Sequence, residues 1–299
     1  MAPTTLERLA ILDAVASAGT IAGAARSLGY TPSAVSQQLA TLEQEARTAL
    51  VERSNRGVSL TAAGQLLAQR GGEILDGVRS AFDDIDTAAN RARTPLVVAA
   101  FPTAIVEILL PLRARLAATI DLSIVDAESE HALHAVSTRS ADGALIDGYA
   151  HQLRPALGNL DRTAVRTESI RMVTRPDRLH DTFAAYADAE WVIAGPASPI
   201  GHALRQLCHD TGFVPRVIAE TDDHRITFDV IRACGAVSLL PELALADLPD
   251  DLVVVDRVAV PIERRIEFVT RRSLSAHRAI VTLVEALEED QPSSPAVVG

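Results

Sequence analysis

Apolar positions over the first ninety residues recur at helical spacing. Leu6, Leu9, Ile11, Leu12 and Val15 share one broad face, which predicts a helix that stops at Ala18-Gly19. Thr20 stands where an N-cap belongs, ahead of a small, Ala-rich run from Ile21 to Leu28 that Gly29 ends. Thr31-Pro32-Ser33 opens a third helix, with Pro in the first turn where its missing N–H costs nothing. Val35, Leu39 and Leu42 form its inner face, and Ser33, Ser36, Gln37 and Thr41 lie opposite. Two helices joined by a short turn, the second polar on its outer face, fit a helix-turn-helix. From spacing alone, a helical hairpin whose Ser and Gln merely face water fits as well.

The next segment favours the first reading. Leu50 to Leu60 has β-prone ends around Asn55-Arg56-Gly57, a hairpin signature. A hairpin carrying Arg53 and Arg56 beside a polar helix reads as a wing, the alternative being a solvated turn. From Thr61 the pattern stays helical to about Ala89, a length of ~44 Å. Leu67, Ile74, Leu75, Val78, Phe82 and Ile85 make a stripe near a/d spacing, suited to pairing with a second copy of the chain or to covering a core. Gly71-Gly72 marks either a bend or a close helix contact.

Arg91 to Pro95 is a polar linker, after which the periodicity changes. Apolar runs at Leu96–Ala100, Leu122–Val125 and Gly143–Ile146 alternate with helical segments from Pro102 to about Leu116 and from Glu130 to Ser137. That alternation predicts parallel βαβ units. It repeats with strands at Trp191–Ala194, Val217–Ala219 and Val237–Leu240, and helices at Ile200–Thr211 and Ile226–Cys234. Strand-like segments Ser169–Arg175 and Ile266–Arg271 lie where the chain would cross between two α/β halves. Ala276–Glu288 reads as a last helix and Asp290–Gly299 as a frayed tail.

Charge refines this picture. The 299 residues carry a formal charge of −11, and every positive side chain is Arg. Residues 1–93 are nearly balanced, with 9 Arg against 10 acids, so the acidity belongs to the remainder. A uniform coat of nucleic acid or anionic lipid is excluded, whereas a local DNA-reading surface is not. Two cysteines, Cys208 and Cys234, are too few for a disulfide scaffold. The N-terminus has no basic-then-apolar leader pattern, and the longest apolar stretch, Leu96–Leu110, is too short and too interrupted to span a bilayer. The expectation is a soluble cytoplasmic protein that does not engage a membrane.

The first ninety positions closely resemble the DNA-binding region of LysR-type transcriptional regulators. The resemblance rests on Ala24-Ala25 with Leu28, on Ser33-Ala34-Val35-Ser36-Gln37 with Leu39 and Leu42-Glu43, and on Glu52-Arg53 and Leu60-Thr61 with Gly64. Residues 95–290 resemble the family's effector-binding domain through Leu110-Pro111, the Asp142–Ile146 strand and Cys234 to Pro241. Two departures stand out: Ala46-Arg47 replaces the usual Leu-Gly, and Val51 stands where Phe is common. The resemblance implies an α/β protein with an α-rich N-terminal winged helix-turn-helix and a C-terminal, two-subdomain, periplasmic-binding-protein-like domain. The expected division is 1–60 for DNA binding, 61–93 for a dimerisation helix and 94–299 for effector binding. Within the last, subdomain I takes about 95–168 and 271–290, and subdomain II about 169–270. A homodimer or homotetramer on a near-palindromic operator, in contact with RNA polymerase and needing no cofactor, follows.

The chemistry of the candidate residues agrees. Ser33, Ser36 and Gln37 offer hydroxyl and amide groups to base edges, with Thr31 and Pro32 at the groove edge. Arg53 and Arg56 suit phosphate or minor-groove contact, and the helix start at Thr20 suits a phosphate. With only 5 Arg against 5 acids in residues 1–60, one copy would bind weakly, so a dimer is required. In the second region, Thr103 and Ser198 at helix starts beside one cleft favour a carboxylate, unless each merely caps its helix. Asp147, Asp222 and His224 at strand ends could take an amino group, so an amino acid satisfies both. Ser198, His202 and Asp222 as a hydrolytic triad lack a GxSxG elbow, and His131 with His134 lacks the ligands of a zinc site. Neither catalysis nor a metal is expected. A redox switch through Cys208 and Cys234 is the alternative sensor, against two plain buried thiols.

Overall fold

The structure, a computed structural model, describes residues 4–54, 57–89, 93–149, 159–195 and 198–290. Helix α1 (Thr5–Ala18) begins with a capping box in which Thr4 and Glu7 satisfy each other's backbone N–H. Helices α2 (Ile21–Leu28) and α3 (Pro32–Ala46) follow, each with a Thr N-cap. Strands β1 (Val51–Ser54) and β2 (Gly57–Leu60) pair antiparallel, and Val58 N–H donates to the Gly19 carbonyl at 3.1 Å, tying the hairpin to the α1–α2 turn. Ile11, Leu12, Val15, Ala24, Val35, Leu39 and Leu50 close one small core. Arg47 ends α3 in the left-handed conformation (φ 54°), accepting the strain of roughly 1–2 kcal/mol that a glycine would avoid. The Glu43 carboxylate holds the next turn by accepting from Leu50 N–H at 2.9 Å and Val51 N–H at 3.2 Å.

Helix α4 (Ala62–Ala88) runs 27 residues, about 40 Å. Gly71-Gly72 marks close contact: a Cβ on Gly71 would lie 2.9 Å from Leu9 Cδ2, and one on Gly72 would strike the Arg139 guanidinium at 1.6 Å. The expected stripe splits. Leu67 packs into the N-terminal core, whereas Ile74, Val78, Phe82 and Ile85, joined by Leu66, remain exposed.

The rest is built on a seven-stranded sheet of order β10-β6-β11-β5-β3-β4, with β9 also on β6. Strands β3 (Thr94–Ala100), β4 (Ile120–Asp126) and β5 (Gly143–Tyr149) are parallel, as the βαβ pattern requires. Between β3 and β4 the expected single helix is divided into α5 (Pro102–Ala104), a π-helical turn (Ile105–Leu109) and α6 (Leu110–Leu116). Pro111 cannot donate to the helical ladder, and the wider turn just before it absorbs the mismatch. Helix α7 (Ser129–Ser137) covers the opposite face of this half.

Two long strands join the halves: β6 (Leu160–Thr174) and β11 (Glu263–Arg271), antiparallel to each other. Both exceed their sequence expectation, because the first nine residues of β6 include only two apolar buried positions, Leu160 and Val165. The second half contains β7 (Glu190–Ile193), α8 (Pro199–Asp210), β8 (Arg216–Glu220), α9 (His224–Cys234), β9 (Ser238–Pro241) and the two-residue β10 (Val253–Val254). Trp191, Leu204 and Cys208 centre one of its cores, Phe228 and Ile231 the other. Helix α10 (Arg278–Glu289) returns to the first half, and the expected tail falls outside the described residues from 291 on.

Buried ion pairs fasten α4 to this region. Asp76, 4% exposed, accepts from Arg271 Nε at 3.0 Å, and Arg271 also reaches the carbonyls of Val136 and Ala141. Arg79 bonds Asp142 at 2.5 Å, His277 meets Asp83 at 3.2 Å, and Arg139 bonds Asp13 on α1 at 2.5 Å. Asp76→Ala would leave a guanidinium that is 1% exposed without its nearest carboxylate. A loss of ~3 kcal/mol is expected in urea denaturation followed by circular dichroism, the low end for a broken buried pair because Asp142 remains 3.5 Å away.

Candidate functional site

The outer face of α3 carries the expected polar set. Thr31 Oγ1 accepts from Ala34 N–H at 3.2 Å and lies 3.0 Å from Ser33 Oγ. Pro32, Ser33 and Gln37 are exposed and Ser36 is half-buried, while Val35, Leu39 and Leu42 are buried opposite. Thr20, also exposed, caps α2 by accepting from Gly23 N–H at 3.0 Å. The N–H groups of this first turn thus point outward from the same region in which the Gly19–Val58 bond anchors the hairpin. Arg53 sits in β1 opposite Val58, and Arg56 lies outside the described residues.

All five residues expected in the second region line one cleft between the α/β halves: Thr103, Asp147, Ser198, Asp222 and His224. Neither hydroxyl caps its helix. Ser198 is the N-cap of α8 but makes no cap bond, and Thr103 Oγ1 accepts from Arg264 Nη2 at 3.1 Å. Asp223 caps α9, taking the N–H groups of Arg225 at 2.8 Å and Ile226 at 3.3 Å.

Four further residues shape the cleft, of which only Ser238 lies in a segment that the sequence marked. Arg264, on β11, lies beneath it with its guanidinium 4.8 Å from the Phe101 ring centre, ion-paired to the fully buried Glu168 of β6 and 3.6 Å from Asp147. Glu168 also accepts from Leu243 N–H at 2.8 Å, so one buried carboxylate links both crossing strands to the second half. Glu128, after β4, and Ser238, on β9, complete the lining. Arg264 and Glu168 are 96 residues apart in the chain, a separation no local pattern reveals.

Charges in the cleft are unevenly matched. Burial, reinforced by Arg264, pushes His224 down to about 4, so the ring is neutral at physiological pH. Burial and then the neighbouring carboxylates of Asp147, Asp222 and Asp126 hold Glu128 above the ordinary carboxylate range. Asp147 is steadied by Ser129 Oγ at 2.6 Å. Away from the cleft, Cys208 is buried and its thiol is pushed up to about 12 by burial, while Cys234 is an exposed free thiol. The expectation of two buried thiols therefore fails for Cys234, which ends α9 at the surface. His131 and His134 are both exposed.

Comparisons with known proteins agree over nearly the whole chain. The family described as "LysR substrate binding domain" matches residues 89–292, and that described as "Bacterial regulatory helix-turn-helix protein, lysR family" matches residues 6–65. The HTH-type transcriptional regulator CzcR of Bacillus anthracis is 25% identical over 249 residues, covering 81% of this chain and 82% of the relative. Among solved structures, ArgP from Mycobacterium tuberculosis superposes with a TM-score of 0.69 at 21% identity, covering 95% of this chain and 97% of that one. Full-length CbnR complexed with its target DNA does so with a TM-score of 0.54 at 22% identity, covering 96% and 99%.

The depressed His224 has a thermodynamic consequence. Between pH 6.5 and about 4 an unfolded chain binds this proton and the native one does not, so stability falls as pH falls through that window. His224→Asn removes the contribution, and its unfolding free energy should decline less steeply over that range than that of the parent protein in parallel urea titrations.

Proposed function

Because the chain belongs to the LysR family of DNA-binding transcriptional regulators, we propose that α3 enters the major groove with Ser33, Ser36 and Gln37 toward the base edges. Thr31 and Pro32 meet the groove edge, the start of α2 at Thr20 meets a phosphate, and Arg53 and Arg56 of the hairpin contact the backbone or minor groove. The observation that carries this reading is the exposed polar face of α3 beside a hairpin held by the Gly19–Val58 bond. The protein acts in the cytoplasm, in contact with RNA polymerase at its promoter; among the described residues no helix is long and apolar enough to cross a membrane.

The functional unit is a homodimer or homotetramer built through α4. Its outward stripe of Leu66, Ile74, Val78, Phe82 and Ile85 is 38–65% exposed, and the packed side of the same helix is taken up by α1 and the α/β region. Two copies joined there present two α3 helices to a near-palindromic operator and double the few cations each provides. A small-molecule effector binds in the cleft lined by Thr103, Asp147, Ser198, Asp222 and His224 and modulates DNA binding or activation. The sequence reading of an amino acid or carboxylate as effector is supported by hydroxyls free of capping duty.

Fluorescence anisotropy with labelled DNA from the intergenic region beside the gene tests the DNA contacts. Gln37→Ala should weaken specific binding about tenfold or more, the magnitude of one base contact, with little change in salt dependence. Arg53→Ala should weaken binding across sequences and flatten the salt slope. Equal loss on specific and random DNA for Gln37→Ala would contradict its placement at a base edge. Phe82→Glu should shift the sedimentation profile toward monomer and reduce operator affinity with it.

A further inference from the structure

The cleft is acidic in a way that a simple anionic effector does not explain. Glu128 and Asp147 come from the first half and Asp222 from the second, on opposite sides of one cavity. Arg264 offsets only part of this charge: its guanidinium lies 3.6 Å from Asp147 but is chiefly engaged by buried Glu168. The Glu128 and Asp222 carboxylates make no hydrogen bond or ion pair among the described residues, and the Glu128 carbonyl accepts from Ala132 N–H. At the cleft mouth Glu107, Asp223 and Asp247 add negative charge against Arg225.

A separate observation points to a ligand. Ser238 is 2% exposed, its hydroxyl has no hydrogen-bond partner among the described residues, and it borders the cavity. On a residue so deeply set, the hydroxyl opens onto the cavity and can bond a molecule held there. Ser198, half-buried at the start of α8, makes no capping bond, and Thr103, which accepts from Arg264, retains a proton to donate. The neutral His224 adds no repulsion toward a cation.

We propose that the effector is a small molecule with an amino or guanidino cation, held by Glu128 and Asp147 on one wall and Asp222 on the other, while its polar end takes the hydroxyls of Ser198 and Ser238. This rests on the regulator reading and narrows the effector to a cation-bearing class. Facing carboxylates repel across an empty cleft, and a bound cation turns that repulsion into attraction toward one centre. Ligand charge is thereby linked to the separation of the two halves.

Isothermal titration of the full-length protein at pH 7.5 with L-arginine, agmatine and succinate separates the outcomes. L-arginine and agmatine should bind and succinate should not. Glu128→Gln and Asp222→Asn should each weaken L-arginine by about tenfold, the scale of one lost charge-assisted hydrogen bond. Succinate binding without either cation, cation binding indifferent to both substitutions, or no binding of L-arginine and agmatine would overturn the proposal. Anisotropy on the same preparations keeps the two readings apart. Retained specific DNA binding with no cation binding defeats the cation assignment alone, whereas loss of both defeats the regulator reading with it.

Discussion

Strand β11 carries a buried guanidinium near each end, and the placement of much of the molecule follows from satisfying the two. Arg264 is 4% exposed and Arg271 1%. Arginine stays charged at any physiological pH, so each must be met by carboxylates and carbonyls wherever the strand lies. At one end this requirement draws in Glu168 of β6, Asp147 of β5 and the Thr103 hydroxyl. At the other it draws in Asp76 of α4, Asp142 and two carbonyls near the end of α7. Buried pairs of this kind add little net stability compared with apolar packing, but a one-residue slip of β11 would strand both charges. They therefore specify register.

The same geometry gives the cleft a mechanical relation to the DNA-facing end. Strand β5 pairs with β11 from Gly143–Thr270 to Tyr149–Arg264, so Asp147 and Arg264 lie toward the cleft while Asp142 and Arg271 lie toward α4. The seven residue steps from Arg264 to Arg271 span about 24 Å at ordinary strand rise. A ligand that changes how Asp147 and Arg264 are paired acts on strands whose far ends hold Asp76 and Arg79 of the long helix. With one side of α4 held in this way, its apolar stripe is left for another surface.

Much of this was legible in the chain and some was not, for identifiable reasons. Caps and turns are local, so Thr20, Gly29, Thr31 and the hairpin around Gly57 fell where their chemistry places them. The five expected residues share a cleft because the ends of parallel strands from both halves face it, a rule that needs only the order of elements. The pairs Glu168–Arg264 and Asp76–Arg271 join residues 96 and 195 positions apart, and an Arg inside a strand looks like a solvated one until its neighbours are known. The first half of β6 was missed because its exposed polar positions mask the pairing that its backbone makes with β11. Arg47 shows a limit of another kind. A helix can end on a left-handed non-glycine residue when side chains such as Glu43 fix the following turn.

The distribution of charge connects these parts. The proposed cationic effector calls for a negative cavity, and a DNA-binding protein must keep that field away from the phosphates. Here the excess acid lies beyond residue 93, while residues 1–93 are close to neutral. Buried acids on α4 and α1 are consumed by Arg271, Arg79 and Arg139, so the junction between the two ends projects little net field. Among the described residues the Glu128 and Asp222 carboxylates form no such ion pair, which leaves negative potential in the cleft. Near-neutrality at the DNA end has its own consequence: with few cations per copy, the proposed pairing of two copies through the exposed stripe of α4 would double the charge offered to the phosphates.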